Sequence, residues 1–515
     1  MYKKTIIKPN TYYDSVTLMS LGSKIKAVEG VKEAVVVMAT GMNKEILMNV
    51  GLGNEETEGA TQNDLIIAVE ARDEETCVEA HRMIMDKLTK GSGAAGQEAE
   101  VEYKTIRHAV KDNRAANVAV ISVPGRYAAR EAKIALNSGL HVMMFSDNVS
   151  IEEERELKEL AVSKGLLMMG PDCGTAVINH TGLCFANEVR RGNIGVVGAS
   201  GTGLQEVIVQ IDRLGGGITQ ALGTGGRDLS REIGGLMMLH GIRALAKEPD
   251  TEIIVLVSKP PEQSVADKIF ELLDTLEKPV VVCFLEGDTA RKCREGVYLC
   301  DNLLDAARTA VELAVVAQDA GREEARAARL KEEIAGARGL LLPGQKSVRG
   351  LFCGGTLCAE ALFVLRGRLG KIRSNVSHRD GEKIDGKETC RGSVLLDLGD
   401  DEFTNGRPHP MIEPSLRNDK IAEQGDDPEV GVILLDFELG YGSHGDPAGE
   451  TVPAIREARA RARAQGRELA VVGYICGTAA DKQDFAGQRA ALLAEGVILA
   501  ESNVEAAQTA ADILL

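Results

Sequence analysis

The chain reads as an α/β protein with parallel sheets covered by helices on both faces, and three observations say so. From Asn117 onward, short apolar runs of strand length alternate with amphipathic runs of helix length. Two of these strands end in glycine-rich turns that open straight into helices, at Gly198-Ala199-Ser200-Gly201-Thr202-Gly203 and at Gly354-Gly355-Thr356. The stretches around those turns also resemble each other, so the pattern is an internal repeat. Continuous rather than alternating apolar strands belong to sheets buried on both sides, and helix-length connections let neighbouring strands run parallel with right-handed crossovers.

At 515 residues the chain is too long for one core, and roughly 150 residues per domain suggests three or four. Residues 4–9 (Lys-Thr-Ile-Ile-Lys-Pro) read as a strand, Ser15–Val28 as a helix and Ala34–Met38 as a β-branched strand. Asp64–Val69 is a further strand and Glu74–Leu88 a helix with apolar residues at helical spacing. This order predicts a small ferredoxin-like or ACT-like domain over 1–90, followed by a flexible linker at Gly91-Ser92-Gly93-Ala94-Ala95-Gly96. A second domain is expected over 105–188. Its strands are Val118–Val123, ending at Pro124-Gly125, then His141–Phe145 and Leu166–Met169, the last closed by Gly170-Pro171-Asp172. Its helices are Tyr127–Ser138 and the charged Ile151–Lys164, whose Glu152–Lys164 part reads as a solvated face.

A third domain over 190–316 starts with strand Ile194–Val197 and helix Leu204–Leu214, and continues with strands Ile253–Val257 and Val280–Leu285. Residues 317–345 are read as a linking helix, because 317–338 is rich in Ala, Arg and Glu without turn residues. The last domain, 346–515, repeats the third. Gly192-Asn-Ile-Gly-Val-Val-Gly-Ala-Ser-Gly-Thr matches Gly350-Leu-Phe-Cys-Gly-Gly-Thr, Glu252–Ser258 matches Val430–Phe437, and Pro279–Gly287 matches Ala470–Gly477. Both copies read as flavodoxin-like units, the second with an insertion around Lys371–Arg391. The methionine pairs at 143–144, 168–169 and 237–238 read as core.

Composition narrows the chemistry. A hydrophobic share of 44% and a charged share of 27% leave enough apolar side chains for packed cores, so long disorder is not expected. The formal charge of -17 argues against nucleic acid as a partner, which needs a basic surface. A small anion held by backbone amides is compatible with that charge. The ten cysteines stand singly with no CxxC pair, so neither a zinc ribbon nor a disulfide framework is signalled, and buried reduced thiols are expected. Met1–Asn10 has no apolar leader core and no window is apolar enough to span a membrane, which makes the cytoplasm the expected compartment.

The glycine-rich turn at 198–203 joins a strand to a helix start, where free N–H groups and the positive end of the helix dipole attract anions. Ser200 and Thr202 add hydroxyl donors, and Gly201 and Gly203 let the chain come close. One such turn often does no more than tighten a strand–helix join. Gly354, Gly355 and Thr356 supply the matching second helix start, and a twofold pairing of the repeats would aim both at one phosphoryl or carbamoyl phosphate group. Gly225, Gly226, Arg227 and Asp228 follow the next strand of the first copy, at the strand end where open α/β sheets bind ligands. Arg227 is a candidate bidentate clamp, with a plain surface arginine as the competing reading.

His444, in Gly440-Tyr-Gly-Ser-His-Gly-Asp446, is a candidate proton carrier or substrate contact just after a strand. His409, in Arg407-Pro408-His409-Pro410, is placed similarly; a loop histidine without a special role competes in both cases. No Walker A pattern appears, and no GxGxxG follows the first strand, so ATP binding within this chain finds no support.

These residues are similar to those of the succinyl-CoA synthetase superfamily. Gly170-Pro171-Asp172-Cys173-Gly174 and Ser200-Gly201-Thr202, with Glu206 one turn on, resemble the α subunit, and the 346–515 half resembles the C-terminal domain of the β subunit. Leu351-Phe-Cys-Gly-Gly-Thr-Leu-Cys and Asp401-Glu-Phe-Thr-Asn-Gly-Arg-Pro-His-Pro-Met look closer still to the FdrA family. The resemblance covers about residues 115–515. It implies a partial Rossmann-like CoA-binding domain and two flavodoxin-like ligase domains, with helix starts facing each other around a phosphate and Glu206 among the substrate-binding residues.

Where the α subunit carries its phosphohistidine, this chain has Glu286-Gly-Asp-Thr-Ala-Arg-Lys-Cys-Arg-Glu-Gly296, without histidine. The acidic strand end that orients that histidine is replaced by Ser258-Lys259-Pro260-Pro261. The Gly-rich first half of the CoA-binding domain and the ATP-grasp domain are missing. CoA stays open as a ligand, no metal is called for, and phosphate or carbamoyl phosphate is the expected one. The family resemblance implies an oxamate carbamoyltransferase-type reaction, oxalurate and phosphate giving oxamate and carbamoyl phosphate. It also implies a homo-oligomer with partner subunits from the same operon. An acyl-CoA synthetase with a partner ATP-grasp chain and a non-catalytic scaffold or sensor remain as alternatives.

Overall fold

A computed structural model describes residues 1–9, 11, 13, 15–26, 28–90, 103–315, 320–385, 391–404 and 407–515. The expected linker at Gly91–Gly96, residues 317–319 of the expected linking helix and residues 386–390 of the expected insertion lie outside the described residues. The chain forms two compact units, one of Met1–Glu102 with Phe403–Glu413, the other of Tyr103–Glu402 with Pro414–Leu515.

The first unit runs β1 (Tyr2–Lys8), α1 (Ser15–Lys26), β2 (Val31–Met38), α2 (Gly41–Asn49), α3 (Glu55–Gly59), β3 (Leu65–Ala71) and α4 (Glu74–Lys90). Its sheet has the order β1-β3-β2 and is antiparallel throughout. The central β3 is buried along its whole length because both faces are covered. Leu65, Ile67 and Val69 pack with Leu18, Ile25, Ala80 and Ile84 from α1 and α4, and Ile66 and Ala68 with Leu47 and Leu52. The helices α2 and α3 lie between the β-branched strand and the next strand, where the sequence pattern marks no element. Both begin at polar caps, Thr40 and Asn54, whose side chains accept amide hydrogen bonds.

The second unit opens with α5 (Ile106–Asp112), β4 (Val118–Ile121), α6 (Gly125–Asn137), β5 (His141–Met144), α7 (Ile151–Lys164) and β6 (Met168–Met169), giving a short parallel sheet β4-β5-β6. Next come β7 (Thr175–Ile178), β8 (Thr181–Cys184), β9 (Arg191–Gly198), α8 (Gly201–Arg213), β10 (Ile218–Gly223), α9 (Leu236–Lys247), β11 (Ile253–Ser258), α10 (Gln263–Leu273), β12 (Val280–Phe284), β13 (Val297–Cys300) and α11 (Leu303–Leu313). They form a seven-stranded sheet, β13-β12-β11-β9-β10-β7-β8. Its parallel part is in the flavodoxin order, with the antiparallel pair β7 and β8 added from residues ahead of 190.

After α12 (Ala320–Leu340) come β14 (Ser347–Phe352), α13 (Gly355–Leu369), β15 (Arg373–Ser374), β16 (Val394–Asp397), α14 (Asp401–Thr404), α15 (Ser415–Glu423), β17 (Val430–Glu438), α16 (Pro447–Ala464), β18 (Ala470–Cys476), α17 (Phe485–Ala494), β19 (Ile498–Ala500) and α18 (Asn503–Leu514). The six-stranded sheet β15-β16-β14-β17-β18-β19 is parallel and again in the flavodoxin order. The two copies share one core. Val196, Ile208, Val281 and Ala307 of the first pack in the same apolar cluster as Leu357, Leu434, Val472 and Ala510 of the second.

Two sequence expectations change. The charged face of α7 is not wholly solvated, because Glu154 and Lys158 are fully buried. Lys158 Nζ donates to Glu154 Oε1 at 2.8 Å, Asp228 Oδ1 at 2.8 Å and the Thr224 carbonyl at 2.9 Å, so the charge is neutralised where α7 meets α9. Nor is α12 a free-standing exposed link. Leu330, Ile334 and Ala337 pack on the shared core, and Arg326 pairs with Glu505 of α18 at 2.6 Å.

Candidate functional site: two facing helix starts

The site is assembled where β9 and β14, the first strands of the two copies, run into α8 and α13. Gly198 ends β9 because there is no room for a side chain: a Cβ would lie 2.7 Å from the Val257 carbonyl. Ser200 is the cap of α8, and its Oγ accepts from Gly203 N at 2.9 Å. The cap of α13 is Gly354, which has no side chain to do this. Asp436 of the neighbouring β17 does it instead, accepting from Cys353 N and Gly354 N, each at 2.8 Å.

The two starts touch. Ser200 Oγ lies 2.6 Å from Thr356 Oγ1, and Thr356 N donates to Thr202 Oγ1 at 3.3 Å. The positive ends of two helix dipoles therefore converge, an arrangement that favours an anion between or beside them. Of the donors expected from the sequence, Gly203, Gly354 and Thr356 spend their amides inside the protein. The amides of Gly201, Thr202 and Gly355 have no partner among the described residues.

Around these starts stand charged residues outside the glycine-rich motifs. Asp397, the last residue of β16, is buried with its carboxyl against the Cα of Gly355: a Cβ there would lie 2.4 Å from Oδ2. Its Oδ1 accepts from Gly399 N at 2.9 Å. Burial pushes its carboxyl up to about 7 against the pull of nearby Lys259. Lys259 follows β11, half-buried and without an ion-pair or hydrogen-bond partner among the described residues. It influences Asp172 as well, an exposed residue that protein nonetheless crowds. That crowding, with Asp401 and Asp147 nearby, pushes Asp172 up to about 6.

Glu438 lies two residues beyond Asp436 as Lys259 lies two beyond Val257, so an acidic and a basic residue occupy matching positions at the two strand ends. Burial, then Asp436, raises Glu438 well above the usual carboxylate range. Ligand-type atoms of Cys353, Asp436 and Glu438 lie within 4.8 Å of one another. Arg417 supplies the positive charge there, with Nη1 donating to Cys353 Sγ at 2.6 Å and Asp436 Oδ1 at 3.2 Å. Lys259 stood out in the sequence as the replacement for an acidic strand end, whereas the only signal for Asp397 was position, a charge at the C-terminal end of a strand flanking a glycine-rich turn.

The remaining expected site residues lie elsewhere. Asp228 is fully buried, paired with Lys158 and accepting from Met237 N and Met238 N at the start of α9. Arg227 pairs with Glu154 at 2.8 Å and donates to the Val149 carbonyl at 2.8 Å. Gly225, with φ +87°, and Gly226 lie over Gly170-Pro171-Asp172, since a Cβ on Gly225 would be 2.3 Å from the Pro171 carbonyl. Glu206 is buried, with Oε1 accepting from Gln210 at 3.2 Å and Asn503 N at 3.4 Å. His444 follows β17 and accepts from Asp446 N at 3.1 Å through Nδ1. In the histidine-free loop after β12, Glu286 pairs with Arg366 of α13 at 3.1 Å and with Arg379 at 3.4 Å.

Two flavodoxin-order sheets joined through one core, with their first helix starts apposed, define a CoA-ligase-type protein of the succinyl-CoA synthetase kind. Residues 189–287 match a CoA binding domain family model and residues 351–513 a CoA-ligase family model. Over 508 residues the chain is 48% identical to YahF of Escherichia coli (strain K12), covering 98% of this chain and 97% of that one. The chain belongs to the FdrA family. It is also 27% identical over 223 residues to the succinate–CoA ligase (ADP-forming) subunit alpha of Aquifex aeolicus, covering 42% of this chain and 70% of that subunit. Among solved structures, ATP citrate lyase from Methanothrix soehngenii in complex with citrate and coenzyme A overlaps 42% of each chain, at 18% identity and a TM-score of 0.36.

Residues 1–104 match a family model described as AllF, heavy metal-associated domain. Soft metals favour thiolates. The one cysteine in that stretch, Cys77, is buried among apolar residues, and burial pushes its thiol up. The described residues of this stretch do not fit a thiolate metal site. The CoA binding domain match runs from just before β9 to the loop after β12. Among the described residues no helix is long and apolar enough to cross a membrane.

Proposed function

We propose that this chain binds phosphate beside the apposed starts of α8 and α13 and uses it in acyl or carbamoyl transfer, as part of an oxamate carbamoyltransferase-type system. The reaction is oxalurate plus phosphate to oxamate plus carbamoyl phosphate. What supports this reading is the pairing of amides at Gly201, Thr202 and Gly355, free among the described residues, with the hydroxyls of Ser200 and Thr202, in a chain whose loop after β12 holds no histidine to carry a phosphoryl group. Amides fixed by two helices stabilise charge on phosphate without reorganising, and removing one such donor costs about 10²–10³ in rate. Arg227 and Asp228 brace the neighbouring turn rather than touch the anion.

A second reading, an acyl-CoA synthetase working with an ATP-grasp partner chain, is favoured by the two CoA-ligase-type family matches. It needs a phosphorylated histidine, for which His444 at the end of the second sheet is the candidate. The test is phosphorolysis of oxalurate, followed as carbamoyl phosphate, with the chain alone and with its operon partners. Carbamoyl phosphate that disappears with Ser200→Ala supports the transfer reading. ATP-dependent acyl-CoA formation without carbamoyl phosphate, together with a phosphorylated histidine, replaces it with the ligase reading.

A further inference from the structure

The proposed reaction leaves one requirement unassigned. When phosphate oxygen attacks the ureido carbon of oxalurate, a C–O bond forms and the C–N bond to the oxamate nitrogen breaks. That nitrogen must gain a proton as it leaves, and hydrogen phosphate must lose one. From the position of Asp397 against Gly355, and resting on the transfer reading above, we infer that Asp397 carries this proton, with Lys259 beside it holding the anion. The carboxyl gives its proton to the departing nitrogen and recovers one from the phosphate hydroxyl. Oxalurate monoanion and hydrogen phosphate dianion become oxamate monoanion and carbamoyl phosphate dianion, with no other reactant consumed.

Three observations converge on this assignment. Asp397 Oδ1 is fixed by Gly399 N at 2.9 Å, which leaves Oδ2, without a partner among the described residues, turned onto the helix start at Gly355. The amide of Gly355 is free among the described residues, so an anion held there meets Oδ2 directly. Lys259, from the matching strand end of the other copy, is a cation with no partner among the described residues. An ionised carboxylate would repel phosphate at this point, whereas a protonated one donates to it. Burial, with Asp400 and Asp436 nearby, favours the protonated form against Lys259 and Gly399 N, and the adjacent Cys358 thiol is kept neutral by its own burial. A carboxyl poised near 7 is matched to proton transfer at neutral pH.

The test uses the full chain with its operon partners, reading oxalurate phosphorolysis against pH and inorganic phosphate binding by titration. Wild type should lose kcat on an alkaline limb near pH 7. Asp397→Asn should lower kcat about 100-fold or more and abolish that limb, while the phosphate Kd stays within about threefold. Lys259→Met should weaken phosphate binding about tenfold and move the limb to higher pH, since the cation lowers the pKa of Asp397. An unchanged limb in Asp397→Asn overturns the assignment. A loss of phosphate binding together with a lowered Tm also overturns it, because Asp397 would then only brace the helix start. A wild-type complex that binds phosphate but makes no carbamoyl phosphate overturns the transfer reading itself, and the proton step with it.

Discussion

Lys158 shows why a charged helix face cannot be read from charge alone. Its ammonium has three acceptors and no solvent, so removing it leaves Glu154 to Arg227 alone and Asp228 to two backbone amides, with one cation too few for two buried carboxylates. Lys158→Met should destabilise the protein by about 3–5 kcal/mol in urea unfolding, as broken buried pairs do. Ser200→Ala removes the cap on Gly203 N and should cost about 1 kcal/mol, alongside its larger effect on activity. Glu360 adds a pH signature. Burial, then the charge of Glu206, lifts it from 4.5 to about 8, so the folded state keeps a proton that the unfolded chain releases. Stability is then greatest below the unfolded value and falls as pH climbs toward 8. In Glu360→Gln the fall in Tm between about pH 5 and 8 should flatten; an unchanged slope would remove Glu360 from the cause.

At the scale of elements, the helix starts were legible and what holds them together was not. Ser, Gly and Thr after an apolar run mark a strand–helix turn by local chemistry alone, and α8 and α13 begin where that chemistry puts them. Glu206 and Glu360 each lie five residues past a matched glycine, Gly201 and Gly355. Glu206 accepts from Asn503 N at the start of α18, and Glu360 from Leu303 N at the start of α11. Each copy thus satisfies the first turn of the other copy's last helix, a relation visible only once the copies are packed. Asp397 was missed for the same reason, since its neighbour Gly355 is more than forty residues away in sequence. Gly225 belongs at this scale too. Its positive φ and the Pro171 carbonyl leave no room for a methyl, so Gly225→Ala should cost on the order of 1–3 kcal/mol.

For the whole second unit, a shared core makes the two copies one folding body. Their sheets are individually complete, but Leu357, Ala361 and Ala510 of the second copy belong to the same buried cluster as Val207, Ala306 and Val311 of the first. Residues 346–515 expressed alone should therefore expose that apolar face and unfold without a cooperative transition; a sharp, reversible transition would contradict this. The repeat in the sequence foretold the doubling of the fold, because each copy carries the same order of strands and turns. The apposition of the copies depends on side chains such as Ser200 and Thr356 meeting between the two helix starts. One apposition makes one anion site. The most direct measurement is the stoichiometry of inorganic phosphate binding to the full chain by calorimetric titration. One phosphate per chain, lost when Ser200 and Thr356 are both replaced by alanine in a protein of unchanged fold, is the result expected. Phosphate binding that survives the double replacement, or no binding in the wild type, would contradict a site built from the two helix starts.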